Sequence, residues 1–110
     1  MCRMEKFVAK ASDVAVHSDY PYQLGALVFK GGKILSMGHN KIGVHAEVAA
    51  LNQLKPHQTK GADLVVVRVA KTGLAMSKPC PICQVVIKNR GIKRVYYTTR
   101  TGMNSMKFHG

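Results

Sequence analysis

Acidic residues are scarce in this sequence of 110 residues, and their scarcity sets its charge. Five aspartates and glutamates stand against 17 lysines and arginines, which leaves a formal net charge of +12 at pH 7. Beyond Asp63 every formally charged side chain is basic. A field of this sign attracts polyanions, so it favours nucleic acid or nucleotide phosphate as a partner. Because a solvated basic surface can also serve solubility alone, charge does not by itself establish such a partner.

Cysteine is also rare, with three residues in the chain: Cys2, Cys80 and Cys83. Three cysteines cannot all pair within one chain, and two of them stand in a C-x-x-C spacing. This pattern argues against a secreted, disulfide-rich fold and favours metal or thiol chemistry in a reducing compartment. We therefore expect a cytoplasmic protein in which Cys80 and Cys83 act together and Cys2, near the terminus, is a bystander.

Long apolar runs are missing as well. No run approaches the roughly 20 apolar residues that cross a bilayer, and the start MCRMEKFVAK lacks the apolar stretch of a secretion signal. We therefore expect no membrane partner. Tryptophan is absent, and four Tyr and three Phe leave few rings for stacking on the bases of a polynucleotide. The length and the 46% of hydrophobic residues predict one domain, residues 1–110, with one core.

The hydrophobic pattern predicts alternating helices and strands. In chain order these are a helix at about 3–17, strands at 24–30 and 33–39, a helix at 45–55, a strand at 62–70, a helix at 79–91 and a strand at 92–99. Gly31 and Gly32 favour a hairpin turn, and Pro56 must end the second helix. Helical crossovers make later strands parallel. The predicted fold is α/β, a three-layer α/β/α arrangement with a mixed, mostly parallel sheet of about four to five strands.

Two details of this pattern bear on packing. The run at 62–70 is too continuously apolar for a half-exposed strand, which predicts an inner strand covered on both faces. In the third helix, Ile82, Val85 and Val86 are predicted to form the apolar face. The tail from residue 100 to residue 110 has no clear period, so no element is predicted there.

Two short motifs carry candidate chemistry. His45-Ala46-Glu47 opens the second predicted helix, and alone it is compatible with an ordinary polar helix start. Pro79-Cys80-Pro81-Ile82-Cys83 places two thiols at the start of the third helix, where the helix dipole favours thiolate. Taken alone, this second motif fits a redox pair, a metal site or two buried cysteines without function.

Together the two motifs are more specific. Crossovers bring successive helix starts to one edge of a sheet, so His45, Cys80 and Cys83 can converge. One nitrogen and two sulfurs suit tetrahedral zinc with an open corner, as in catalytic sites. Zinc lowers the pKa of a bound water from about 15.7 to about 7, and hydrolysing an amidine-like C–NH₂ group needs a group that accepts and donates protons. Glu47, the acid closest in sequence to a ligand, is predicted to be that group.

The pattern H-x-E followed by P-C-x-x-C resembles the cytidine and deoxycytidylate deaminase superfamily. The matching residues are His45, Glu47, Pro79, Cys80 and Cys83, and the resemblance extends over about residues 23–97. It implies a cytidine deaminase-like fold, one zinc ion per chain, hydrolytic deaminase activity and a homo-oligomer. It also implies substrate contacts from Asn40, Leu24, the backbone N–H of Ala46, the carbonyl around Ser77 and the ring of Tyr22. For Leu24 and Tyr22, plain core packing is an equally good interpretation.

The choice of base rests on weaker features. Lys78 matches neither the serine common in relatives that act on cytosine nor the glutamate common in those that act on adenine or guanine. Ser77 and the neighbouring segments resemble the cytidylate group, so we expect conversion of cytosine to uracil in a nucleotide or in single-stranded nucleic acid. The alternatives are a tRNA-type adenosine deaminase, a nucleic-acid-binding module with structural zinc, and a thiol redox protein.

Overall fold

A six-stranded sheet organises the chain in the computed structural model, which describes residues 3–18, 22–41 and 44–108. Its elements are α1 (Arg3–Ala15), β1 (Gln23–Lys30), β2 (Lys33–His39), α2 (Ala46–Leu51), α3 (Pro56–Thr59), β3 (Asp63–Ala70), β4 (Gly73–Ala75), α4 (Pro81–Asn89), β5 (Arg94–Thr99) and β6 (Gly102–Lys107). The strand order is β2-β1-β3-β5-β6, and β4 pairs with β3 beside this path. Every helix and strand predicted from the sequence has its counterpart here, and α3, β4 and β6 are additional.

The α/β fold is confirmed, but the sheet is larger and more antiparallel than predicted. β3 and β5 are parallel, whereas β1 is antiparallel to β2 and to β3, and β4 and β6 are antiparallel to their neighbours. β2, β3 and β5 do run in the same direction, as helical crossovers require. The prediction of a mostly parallel sheet was wrong because β1 folds back between β2 and β3 and separates them. The short strands β4 and β6 raise the number of strands to six.

The turn between β1 and β2 has the predicted geometry. Gly31 and Gly32 have φ angles of 58° and 83°. Positive φ at both central residues is what a two-residue type I′ hairpin needs, and glycine adopts it without a steric penalty. Lys30 and Lys33 consequently pair directly across the turn.

Each face of the sheet buries its own core, which makes three layers. On one face α1 packs through Phe7 and Ala11 on side chains of β1 and β3, and the rings of Phe7 and Phe29 stack with centroids 4.2 Å apart. On the other face α2 and α4 cover the alternate residues of the same strands, Ala26, Val28, Leu64 and Val66. The predicted inner strand is confirmed, because β3 lies between β1 and β5 and is fully buried from Leu64 to Val67.

The apolar face of α4 differs from the prediction. Ile82 and Val85 are 77% and 58% exposed, while Cys83 and Ile87 are buried. Residues four apart share a helix face. Because Cys83 faces the core, Ile87 faces it as well, and Ile82 and Val85 face solvent. Val86 alone of the predicted face packs against the core.

The helix ends also differ in places. α1 ends at Ala15, and part of the segment predicted to break it, residues 19–21, lies outside the described residues. α2 ends at Leu51, before the predicted stop, because Gln53 and Leu54 donate to carbonyls only three residues back. Pro56 then begins α3, at a first helical position that tolerates proline. No helix in the described ranges is long and apolar enough to cross a bilayer.

Candidate metal centre and active site

Three potential metal ligands from distant parts of the chain meet at the start of two helices. His45 is the N-cap residue of α2, Cys80 is the N-cap residue of α4, and Cys83 is the third residue of α4. One ligand atom from each lies within 4.8 Å of the others. Cys83 Sγ and His45 Nδ1 are 3.0 Å apart. The structure therefore brings together the three residues that the motifs singled out, whereas Cys2 lies outside the described residues.

Local backbone chemistry orients the two cysteines. The Cys80 sulfur accepts a hydrogen bond from the Cys83 N–H at 3.5 Å, which satisfies one of the free N–H groups at the start of α4. Pro81 occupies the first turn, where no N–H is needed. The Gln84 amide donates to the Pro79 carbonyl at 2.8 Å and ties the first turn to the segment before it.

The donor set fits zinc. Zinc binds imidazole nitrogen at about 2.0–2.1 Å and thiolate sulfur at about 2.3 Å, which places tetrahedral ligand atoms about 3.5 Å apart. The separations between the ligand atoms, from 3.0 Å for Cys83 Sγ and His45 Nδ1 up to at most 4.8 Å, lie around that value. Within the described ranges no fourth His, Cys, Asp or Glu joins the group. A zinc ion held by these three residues would therefore keep one position for a ligand that the described protein does not supply.

Glu47 lies beside this group and is almost fully buried, with 3% of its surface exposed. Burial raises the pKa of its carboxyl, and a hydrogen bond from its own backbone N–H, the charge of His45 and a hydrogen bond with Cys83 offset part of that rise. A carboxyl with a raised pKa holds a proton closer to neutral pH, which suits an acid–base role.

The Cys83 thiol has a strongly perturbed pKa in the metal-free protein. Burial raises the pKa to about 12, and the nearby Glu47 and Cys80 add to the rise. At neutral pH this thiol is therefore protonated without a metal, and the thiolate expected from the helix dipole is wrong for Cys83 because burial has the larger effect. Because zinc binds the thiolate, metal binding must displace the proton.

A cavity of about 580 Å³ opens beside the three ligands, and this volume is typical of small-molecule sites. Its lining includes His45, Glu47, Cys80 and every residue predicted to contact substrate: Tyr22, Leu24, Asn40, Ala46 and Ser77. Tyr22 is 61% exposed, which rules out the interpretation of this residue as core. Leu24 both lines the cavity and packs against the core.

Asn40 shapes the cavity wall. Its side-chain oxygen accepts from the Leu24 N–H at 3.0 Å, and its amide nitrogen donates to the Tyr22 carbonyl at 2.7 Å. These bonds hold the start of β1 against the end of β2. A primary amide has two hydrogens and two lone pairs, so one of each remains for a ligand.

The Ser77 hydroxyl is used by the sheet. It donates to the Val66 carbonyl at 2.7 Å and accepts from the Thr98 N–H at 2.7 Å. Ser77 therefore links β3 and β5 just before the segment that carries Cys80. Only the backbone carbonyl of this region is left for the base contact that the sequence predicts.

Sequence reasoning missed Arg68 as a residue of the site. In β3 it follows Leu64 and Val66 on the face covered by α2 and α4, and it pairs with Leu24 across the sheet. It lines the cavity, and its guanidinium carbon lies 4.5 Å from the centre of the Tyr22 ring. The available signal was a charge in an otherwise apolar inner strand, where unpaired charges are rare.

Comparisons with known proteins match most of this chain. The family model for the cytidine and deoxycytidylate deaminase zinc-binding region matches residues 1–99. Riboflavin biosynthesis protein RibD from Aquifex aeolicus (strain VF5) is 42% identical over 78 residues, which cover 69% of this chain and 21% of that protein. The chain thus spans about a fifth of this curated relative.

The fold is shared with solved structures. The dCMP deaminase of cyanophage S-TIM5 superposes with a TM-score of 0.69 and 27% identity over 86% of this chain and 81% of the phage chain. A diaminohydroxyphosphoribosylaminopyrimidine deaminase/5-amino-6-(5-phosphoribosylamino)uracil reductase from Thermotoga maritima gives a TM-score of 0.65 and 28% identity. The match covers 86% of this chain and 29% of the Thermotoga maritima chain. These neighbours confirm the cytidine deaminase-like fold that the motif resemblance implied.

Proposed function

Because the chain belongs to the cytidine and deoxycytidylate deaminase family, we propose that it is a zinc-dependent hydrolase that converts cytosine to uracil and releases ammonia. Its substrate is a cytidine or deoxycytidine nucleotide or single-stranded nucleic acid. The convergence of His45, Cys80 and Cys83 beside a cavity that Glu47 lines carries this proposal. A structural zinc site would use a fourth protein ligand, and a redox pair would need neither His45 nor Glu47.

One zinc ion per chain would be held by the imidazole of His45 and the sulfurs of Cys80 and Cys83 in this proposal. When bound, zinc lowers the pKa of a coordinated water to about 7 and so makes a nucleophile available at neutral pH. The protein supplies the remaining chemistry, which is the transfer of protons and the orientation of the base.

Glu47 moves the protons. It takes a proton from the attacking water and delivers it to the ring nitrogen beside the amine-bearing carbon, and a second transfer reaches the departing amine. The C–N bond breaks as the new C–O bond becomes a carbonyl, so water and cytosine give uracil and ammonia. Burial raises the pKa of the Glu47 carboxyl, which suits it to hold a proton between these transfers.

The remaining predicted residues orient the base. The Ala46 N–H and the backbone carbonyl around Ser77 face the reacting edge, while Leu24 and Tyr22 contact the ring. Asn40 offers its free amide hydrogen or lone pair to the sugar or base. The fact that all five line one cavity supports these roles.

A riboflavin-pathway pyrimidine is the second candidate substrate. The 42% identity to a riboflavin biosynthesis protein favours it, and the similar Thermotoga maritima enzyme is named for an aminopyrimidine deaminase. Cytosine remains the first choice because the phage dCMP deaminase has the higher TM-score and the larger covered share. Adenosine in RNA is a third possibility that the same experiment tests.

The proposal also includes the assembly and the location of the protein: it forms a homo-oligomer, and it works in a reducing compartment. Ile82 and Val85 expose large apolar side chains three residues apart on α4, and covering them with a second copy would stabilise an interface. The thiols of Cys80 and Cys83 are free, as metal binding requires. A sedimentation measurement at micromolar concentration tests the assembly, and a monomer would contradict it.

Product identification tests the reaction itself. The zinc-loaded protein is incubated separately with cytidine, deoxycytidylate, a cytosine-containing single strand, an adenosine-containing RNA and the aminopyrimidine named for the Thermotoga maritima enzyme. A mass increase of about 1 Da, which replacement of an amine by a carbonyl produces, identifies the deaminated base, and ammonia is measured in parallel. No product from any of them would overturn the proposed function.

A further inference from the structure

Arg68 is a charged side chain for which the proposed proton transfers have no use. Strand alternation puts it on the same face as Leu64 and Val66, at the end of β3 where the apolar series reaches the cavity. Its backbone N–H donates to the Thr98 hydroxyl at 3.2 Å, which fixes the strand at this point. A cation is therefore held at the cavity by the sheet rather than by a mobile loop.

The guanidinium has an unmet hydrogen-bonding need. Its Nε is buried, and no residue in the described part of the chain accepts a hydrogen bond from it. Tyr22 contacts the guanidinium through its ring, at 4.5 Å, which orients the group but supplies no acceptor to Nε. A buried donor without an acceptor is costly, so the described protein does not by itself satisfy the guanidinium.

The charge around Arg68 selects the kind of ligand. Lys41 and Lys78 also line the cavity and are exposed at its rim. Of the described lining residues only Glu47 is acidic, and its carboxylate serves the reaction. The lining thus carries an excess of positive charge that a neutral nucleoside or free base leaves uncompensated. A phosphate compensates it and matches the fork of an arginine with two parallel hydrogen bonds.

We propose that Arg68, oriented by Tyr22, binds a phosphate of the substrate, so that the site takes phosphorylated substrates in preference to nucleosides and free bases. This inference rests on the proposed function because it names the substrate class of the same cavity. The phosphate belongs either to a mononucleotide or to the backbone of a single strand. Arg68 is a specificity-determining residue in both cases.

Calorimetric titration of the zinc-loaded protein tests the proposal directly. The ligands are deoxycytidylate, deoxycytidine, inorganic phosphate and a short oligonucleotide with a single cytosine. For R68M, which keeps the unbranched stem of the side chain and removes its charged end, we expect deoxycytidylate binding to weaken at least about tenfold. Deoxycytidine binding should change by less than about twofold. If the oligonucleotide alone loses affinity, the bound phosphate is a backbone diester.

Matched variants separate recognition from folding and from general charge. R100M removes one positive charge at an exposed position outside this cavity, and it should leave both affinities within about twofold of wild type. R68K keeps the charge but loses the fork, so its affinity for deoxycytidylate should fall between those of wild type and R68M. Tyr22→Leu should weaken deoxycytidylate binding more than deoxycytidine binding, because Tyr22 both contacts the base and orients Arg68, and since Tyr22 is exposed the fold stays intact.

The outcomes distinguish the two proposals. The role of Arg68 would be overturned if R68M and R68K each lost as much affinity for deoxycytidine as for deoxycytidylate. It would also be overturned if the wild-type protein bound no phosphate-bearing ligand better than deoxycytidine. Arg68-dependent binding without release of ammonia would support phosphate recognition and overturn the deaminase proposal. Ammonia release together with deoxycytidylate binding that does not depend on Arg68 would support the deaminase proposal and overturn phosphate recognition by Arg68.

Discussion

Cys83 Sγ and His45 Nδ1 lie 3.0 Å apart, although 38 positions separate the two residues in the chain. The contact exists because α2 and α4 both begin on the same side of the sheet, with His45 as the N-cap residue of one and Cys80 as that of the other. Helix N-termini present side chains and free N–H groups outward. The site is thus a direct product of the topology.

Replacing Glu47 with Gln should abolish turnover and leave zinc bound. Glutamine keeps the size of the side chain but cannot accept and return a proton, a loss of about 10²–10⁴ in rate. Elemental analysis gives the zinc content, and ammonia release gives the rate. Glu5→Gln, at an exposed position on α1, is the matched control and should be fully active. Retained activity in E47Q would remove the proposed role of Glu47.

Zinc affinity should rise with pH. The Cys83 thiol, whose pKa burial raises to about 12, is protonated at pH 7 and must lose its proton to bind zinc. Each proton displaced makes the affinity increase about tenfold per pH unit below that pKa. Competition with a chelator between about pH 7 and pH 8.5 measures the slope. We expect Cys83→Ser to bind zinc more weakly and to displace about one proton fewer for each zinc bound. An unchanged slope would contradict the assignment of Cys83 as a zinc ligand.

Gly25→Ala should destabilise the fold strongly. A Cβ at this position would overlap the Ala11 carbonyl oxygen and lie 2.9 Å from the Ala15 N, both in the backbone of α1. A helix backbone cannot yield as a side chain can, so we expect a loss of about 3 kcal/mol or more. Urea unfolding followed by circular dichroism measures it. Ala9→Ser, on the exposed side of α1, should change stability by less than about 0.5 kcal/mol.

Ser77→Ala should weaken both the fold and the metal site. The substitution leaves the Thr98 N–H without the Ser77 hydroxyl, which costs about 1–3 kcal/mol for a buried donor. It also loosens the segment between Ser77 and Cys80, so zinc affinity should fall. Thermal unfolding and chelator competition measure the two effects, with the exposed Ser105→Ala as control. Unchanged stability would show that water replaces the hydroxyl.

The sequence pattern predicted most helices and strands because each of them depends on residues that are close together in the chain. The Gly31-Gly32 turn and the apolar run of β3 each follow from a few neighbouring residues. Strand order does not, since the insertion of β1 between β2 and β3 depends on contacts far apart in sequence. Ile82 and Val85 misled the assignment of the α4 face because their hydrophobicity gave no hint that Cys83 must point inward.

The residues of the site also differ in how far the sequence alone predicts them. His45, Glu47 and the two cysteines belong to motifs with fixed spacing, so their sequence alone singled them out. Arg68 has no motif, and only the register that pairs it with Leu24 reveals that it reaches the cavity. The sequence predicted a base contact from the backbone carbonyl around Ser77, and the structure adds that the Ser77 hydroxyl joins β3 to β5.

X-ray absorption at the zinc edge of the purified, reduced protein tests the central claim most directly. We expect one zinc per chain with two sulfur ligands at about 2.3 Å, one imidazole nitrogen at about 2.0 Å and one further light atom from solvent. Cys80→Ser should remove one sulfur from this shell. A closed shell of four protein ligands, or a protein that binds no zinc, would contradict a catalytic centre held by His45, Cys80 and Cys83.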